Sequence, residues 1–200
     1  TMVHWHGIRL PATMDGTGEV QQPILPGESF EYRFTVPDAG TFWYHSHQNE
    51  TVQMEKGMYG GIVIEEDTDP VVDNERVLVM DDMKLTGKNE FKQHGPIGRW
   101  IERHDGREGS TNLMNGKEFT GLVMYAGQTE RWRIFNAASA RYFKLNLDGK
   151  PFKVIATDGG LLEYARTETE LLITPGERFD ILVGPFEEGA IFSINSLPYN

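Results

Sequence analysis

Apolar and polar residues alternate along Phe30-Glu31-Tyr32-Arg33-Phe34-Thr35-Val36, the pattern of a strand with one face buried. Short runs of the same kind occur at Gly61–Glu65, Val77–Met80, Glu130–Phe135, Tyr142–Leu147, Phe152–Thr157, Thr169–Ile173, Phe179–Val183 and Ala190–Asn195. Turn-forming pairs punctuate them: Pro26-Gly27, Asp148-Gly149, Asp158-Gly159 and Pro175-Gly176. Long helical periodicity is absent. Many short strands at this spacing predict an all-β chain of sandwiches or barrels rather than a parallel sheet.

The acidic, Pro-terminated stretch Glu65-Glu66-Asp67-Thr68-Asp69-Pro70 reads as a solvated linker. It predicts a first domain over residues 1–66 and a second over 67–200. From Thr86 to Gly116 the periodicity is weak, and a long loop is expected with one short strand around Ile97–Ile101. The chain also repeats itself. Pro26-Gly27-Glu28-Ser29-Phe30 recurs as Pro175-Gly176-Glu177-Arg178-Phe179, an offset of 149 residues between Gly27 and Gly176. At that offset Gly40-Thr41-Phe42 meets Gly189-Ala190-Ile191, so the chain reads as two copies of one β-sandwich.

Composition changes this picture little. Hydrophobic residues make up 38% and charged residues 24%, ordinary for a globular protein. No apolar run approaches the roughly 20 residues of a membrane helix. A net charge of −11, with basic residues scattered, argues against nucleic acid as a partner. There is no cysteine, which excludes disulfides and thiolate metal sites within these residues. The start at Thr1, three residues before a dense motif, reads as processed or truncated, so the lack of a signal segment carries no information on secretion.

The candidate chemistry lies in the histidines. Four of the six form two His-x-His pairs, His4-Trp5-His6 and His45-Ser46-His47. In a strand, residues i and i+2 share a face, about 7 Å apart at the backbone. Two such pairs on neighbouring strands would bring four nitrogen ligands together, a set suited to copper, zinc, iron or nickel rather than magnesium or calcium. A lone strand histidine is more often structural than a ligand; two spaced pairs are not so easily explained. Through the repeat offset His4, His6, His45 and His47 fall on Lys153, Ile155, Ile194 and Ser196, so the second copy lacks the site. Trp5 and Trp43 are expected to point away from their histidine neighbours, and Met54 and Met58 to pack in the core rather than bind Cu(I). His94 and His104, single in the polar loop, are expected at the surface.

His4-Trp5-His6-Gly7 followed by Trp43-Tyr44-His45-Ser46-His47 resembles the paired copper motifs of the multicopper oxidases, the family of laccases and bacterial copper-resistance oxidases. The flanks agree: Leu25-Pro26-Gly27-Glu28, Ala39-Gly40-Thr41 and Met58-Tyr59-Gly60-Gly61-Ile62-Val63-Ile64. Beyond residue 67 the likeness continues through Asn115-Gly116, Arg131-Trp132-Arg133-Ile134-Phe135-Asn136 and Ile155-Ala156-Thr157-Asp158-Gly159. The resemblance implies two tandem cupredoxin-like Greek-key β-sandwich domains. The first would be incomplete at its N-terminus, because strands precede the histidine motif in the family. It also implies that His4 is a type 2 copper ligand and that His6, His45 and His47 bind the type 3 pair, with His6 and His45 sharing one copper. Asp15 matches an acidic position that helps deliver protons to bound oxygen; the bare sequence also allows a turn aspartate before Gly16.

In the family a third cupredoxin domain completes this trinuclear copper cluster and carries a His-Cys-His link to a type 1 copper. Neither motif is here, so the type 1 site is absent from these residues. The implied activity couples one-electron oxidation of a phenol, an aromatic amine or a metal ion to reduction of dioxygen to water, in a secreted or periplasmic protein. Two other readings stay open: a non-catalytic copper-binding or storage module, and a zinc hydrolase with Asp15 as its nearby carboxylate.

Overall fold

The computed structural model describes residues 1–85, 106–158 and 160–199. The strand expected at Ile97–Ile101, together with His94, His104 and Gly159, lies outside the described residues. Among them the chain is almost entirely β. In chain order the elements are β1 (Val3–His6), β2 (Gly40–Ser46), α1 (Glu50–Glu55), β3 (Tyr59–Ile64), β4 (Asn74–Met83), β5 (Thr111–Met114), β6 (Lys117–Glu118), β7 (Glu130–Asn136), β8 (Phe143–Asn146), β9 (Phe152–Thr157), β10 (Gly160–Glu168), β11 (Glu170–Ile173), β12 (Arg178–Val183) and β13 (Asn195–Leu197). They form three open sheets, ordered β1-β2-β3, β10-β9-β12-β7-β4-β5-β6 and β11-β8-β13. All pairings are antiparallel except β4 with β7. None of the described helices is long and apolar enough to cross a membrane.

The seven-stranded and β11-β8-β13 sheets enclose one core of Trp132, Ile134, Phe143, Leu145, Val154, Ile173, Phe179 and Ile181, all almost inaccessible to water. Fully burying such side chains stabilises the fold by roughly 1.5–3 kcal/mol each. The alternation of Arg131-Trp132-Arg133-Ile134 on β7 suggests a strand with one wet face, yet every residue of β7 is buried. The β1-β2-β3 sheet covers the other face: β2 lies across it, and the Trp43 ring stacks on Phe135 at 5.9 Å. Arg131 and Arg133 are thereby enclosed and paired with Asp180 on β12.

Two expected strands come out differently. Residues 30–36 are not a strand; the Arg33 N–H donates to the Met14 sulfur rather than to a neighbouring ladder. Tyr32 and Phe34 nevertheless turn inward, edge-on to the Trp5 ring at 5.3 and 5.2 Å, so the predicted alternation is kept without its hydrogen bonds. Of Ala190–Asn195 only Asn195 enters a strand. There the Asp148 carboxylate takes the Ser193 N–H and the Asn195 amide, so β13 pairs only from the point where β8 is available. The two repeat turns agree closely. Gly27 and Gly176 have φ of +85° and +80°. The Glu28 and Glu177 carboxylates accept the Leu25 and Thr174 N–H groups three residues back.

Candidate metal centre

Antiparallel pairing sets His4 directly opposite His45 and His6 opposite Trp43. Side chains of directly paired residues stand on the same face of a sheet, so both His-x-His pairs emerge together. The His4 ring centroid lies 5.2 to 5.7 Å from those of the other three, with His6–His45 at 5.5 Å and His45–His47 at 6.2 Å. His4, His6 and His45 each offer a ring nitrogen, and these atoms lie within 4.8 Å of one another. Closest are His6 Nδ1 and His45 Nε2, 3.3 Å apart. His47 stands beside this trio on the exposed side, its ring 5.4 Å from His4.

Each ring is held from behind in its own way. His4 Nδ1 lies 3.0 Å from the Asp15 carbonyl and 3.2 Å from its carboxylate, and among the described residues no hydrogen bond reaches its Nε2. Asp15 is fixed there by the short 3-10 turn Ala12–Met14 and by Gly16, whose φ is +73°. A Cβ at Gly16 would collide with the Val3 carbonyl, so the Asp-Gly step is what lets Asp15 reach β1. Asp15 is therefore both a turn residue and a partner of His4. His45 Nδ1 meets the Ser46 carbonyl at 3.1 Å and Glu50 Oε1 at 3.4 Å, which leaves Nε2 directed at His6.

Burial disfavours the imidazolium. The His6 pKa is lowered to about 4, chiefly by burial, with the Arg178 guanidinium and neighbouring histidines adding to it. His45 is lowered too, again mainly by burial. Neutral imidazoles with convergent lone pairs are what a borderline metal such as copper or zinc requires, so the donor set fits such an ion.

Trp43 departs from expectation. It shares its face with His45, two residues on, and its ring lies 4.9 Å from His6 and 4.5 Å from His45. The i, i+2 rule that joins the histidines joins Trp43 to them; only Trp5, between His4 and His6, faces away. Met54 packs against the Trp43–Phe135 cluster, and Met58 is largely exposed. Sequence reasoning missed Glu50, Gly176 and Arg178. Glu50 follows the second motif by three residues, a detectable signal; nothing local connects Gly176 and Arg178 to His6.

A β-sandwich frame presenting histidines from two paired strands defines a site for a borderline transition metal. A profile of the multicopper oxidase family matches residues 1–69. The multicopper oxidase MmcO of Mycobacterium tuberculosis is 33% identical over 98% of this chain and 44% of its own length. Laccase-2 of Fomitopsis schrenkii is 32% identical over 99% and 38% respectively. The crystal structure of a multicopper oxidase from Pseudomonas thermotolerans superposes with a TM-score of 0.90 at 34% identity, covering 98% of this chain and 48% of that one. That of a Campylobacter jejuni metallo-oxidase gives 0.87 at 33% identity, covering 100% and 42%. The chain belongs to the multicopper oxidase family. It spans less than half the length of these relatives.

Proposed function

We propose that this chain supplies half of a trinuclear copper site in an oxidase that takes single electrons from a reducing substrate and passes them to dioxygen. The observation that carries the reading is the facing pair His6 Nδ1 and His45 Nε2, with His4 alongside. Their approach suits one shared ion, in keeping with His6 and His45 as type 3 ligands, His47 on the second type 3 copper and His4 on the type 2 copper. Copper bound there would supply the centre at which dioxygen takes up four electrons and four protons to give two waters.

The chain's own residues would orient and deliver. Asp15 would hold His4 by its Nδ1 atom, and its part-exposed carboxylate would carry protons from solvent toward the site. Glu50 would fix the tautomer of His45. Electrons would enter through a type 1 copper, whose thiolate must come from outside these 200 residues because they contain no cysteine. A third cupredoxin domain would provide it. The reducing substrate would be a phenol, an aromatic amine or a metal ion, in a secreted or periplasmic setting. Residues 1–66 would form the copper-bearing domain and 67–200 the copper-free one.

The test is oxygen uptake by the natural polypeptide with a phenol and with Cu(I), before and after replacing His45 by Gln. Uptake that needs copper and disappears with His45 is expected. Tight copper binding without uptake would instead favour a storage module, and hydrolysis without copper dependence a zinc enzyme.

A further inference from the structure

His6 differs from the other two clustered histidines in how it is held. His4 and His45 each turn one ring nitrogen toward an oxygen of the chain. Among the described residues His6 makes a contact of this kind only from Nδ1, to His45; no hydrogen bond reaches its Nε2. Metal-binding histidines almost always gain their orientation from a hydrogen bond at the second nitrogen. Something else must fix this ring.

What touches it belongs to the second unit. Gly176, in the turn before β12, lies against His6: a Cβ there would stand 3.6 Å from His6 Cε1, 3.8 Å from Nε2 and 3.9 Å from Trp43 Cζ2. Two residues on, Arg178 is 4% exposed and crosses the contact between units. Its Nε donates to the Thr41 carbonyl on β2 at 3.2 Å, and its Nη1 to the Gly176 carbonyl at 3.1 Å. Asp158 balances the charge at 3.1 Å. The Arg178 Nη2 fills the space a side chain at Gly7 would need. Gly7 has a φ of +84° and directly follows His6. One guanidinium thus ties β2 and the Gly176 turn together and packs against the end of β1.

The internal repeat supplies a control. At Gly27, the equivalent of Gly176, a Cβ would meet nothing within 4 Å. The position equivalent to Arg178 is Ser29. The turn itself is common to both copies; the contact with an imidazole belongs to the second alone.

We infer that the unit without the His-x-His pairs is part of the metal centre: its Pro175–Arg178 turn forms the wall against which His6 is oriented, with Arg178 as the positioning residue. This rests on the reading of His6 as a metal ligand. Gly176 is the bare surface that leaves the ring its place, and Arg178 sets the distance between that surface and β1. The second unit is then more than a spacer.

Two variants test this in the intact chain. Arg178→Lys keeps the charge but not the two-pronged geometry. Gly176→Asn keeps a residue that tolerates positive φ and adds a side chain facing His6. Gly27→Asn makes the same change in the other copy. Two readouts apply to each folded variant: the ¹⁵N ring resonances of the metal-free, histidine-labelled protein, and Cu(II) affinity by chelator competition. The His6 ring signals should shift and broaden in Arg178→Lys and Gly176→Asn while those of His47 stay in place. Cu(II) affinity should fall about 10-fold or more, the usual scale for losing an outer contact to a ligand. Gly27→Asn should do neither. Unchanged His6 signals in folded Gly176→Asn and Arg178→Lys would overturn the inference, as would an equal effect from Gly27→Asn. If Arg178→Lys fails to fold, Gly176→Asn decides alone. If the parent chain binds no Cu(II), the copper reading fails, while the ring resonances still decide whether the turn orients His6.

Discussion

Asp180 and His6 both lie where the β1-β2-β3 sheet meets the seven-stranded sheet, and withdrawal from water has opposite consequences for them. Asp180 is 1% exposed, and its oxygens accept from Thr41 at 2.6 Å, Arg131 at 2.6 and 3.1 Å and Arg133 at 3.1 Å. Arg131 continues to Asp69, and Arg133 to Glu75. Charge meets opposite charge throughout. The imidazoles range from buried His45 to exposed His47, and there ring nitrogens face ring nitrogens, as at the 3.3 Å approach of His6 Nδ1 to His45 Nε2. A neutral imidazole carries one N–H, so each ring keeps one nitrogen whose lone pair is on offer. A paired cluster is structural; a cluster of converging acceptors is unfinished until a cation joins it. The same contact region therefore holds a joint in one place and a ligand site in the other.

The sharpest way to break this contrast is to unpair the joint. Asp180→Ala leaves two guanidinium groups enclosed without their shared carboxylate, and should cost about 3–5 kcal/mol in urea unfolding. A loss below 1 kcal/mol would mean that Asp69 and Glu75 suffice and that Asp180 is incidental. The reciprocal change is expected to leave stability nearly untouched. His45→Gln removes a ring whose Nε2 faces another ring nitrogen rather than a charged partner, yet should weaken Cu(II) binding more than 100-fold, about 2.7 kcal/mol. If His45→Gln unfolds the metal-free chain, the imidazoles are structural and the contrast fails.

Acidification sharpens the same comparison. His6 has a folded pKa of about 4 against an ordinary 6.5. Between those values the unfolded chain takes up a proton that the folded chain refuses, so stability falls as pH drops from 6.5 toward 4. His45 acts in the same direction. Asp81, raised to about 6 mainly by burial despite its hydrogen bond from Tyr59, acts oppositely, because the folded state holds its proton more tightly through the window from 6 down to 4. Urea midpoints at pH 4.5, 5.5 and 6.5 should show a flatter decline in His6→Gln and a steeper one in Asp81→Asn. Equal slopes in both variants would show that neither burial effect acts on folding.

Much of this was readable in the sequence, for a physical reason. Strand period and the i, i+2 rule are local, so two His-x-His pairs announce a common face before any fold is known. The same rule places Trp43 beside His45, and it was misjudged only by treating the tryptophan as flanking the motif rather than continuing it. What stayed hidden depends on non-local contact. Arg131 and Arg133 have the alternation of a solvent-facing edge, and only the arrival of β2 turns them into a core. Residues 30–36 have the pattern of a strand, but a pattern specifies which side chains turn inward and not whether a neighbour supplies hydrogen bonds. Gly176 and Arg178 are 170 residues or more from His6, and no local signal joins them.

The smallest effect bears on the repeat. Glu177 accepts the Thr174 N–H at 2.8 Å in a part-buried turn, and Glu28 accepts the Leu25 N–H at 3.0 Å in an exposed one. A hydrogen bond of this kind contributes roughly 0.5–1.5 kcal/mol, and more where water cannot replace the lost partner. Glu177→Ala should therefore lie near the upper end and Glu28→Ala near or below the lower. Gln at either position retains an acceptor oxygen and should recover part of the loss. Recovery at Glu28 but not at Glu177 would mean that the second turn uses its negative charge rather than its acceptor, through the adjacent Arg178, whose cationic form Glu177 favours. The two turns would then share a backbone and differ in purpose, one closing a loop and the other holding an arginine against the metal centre.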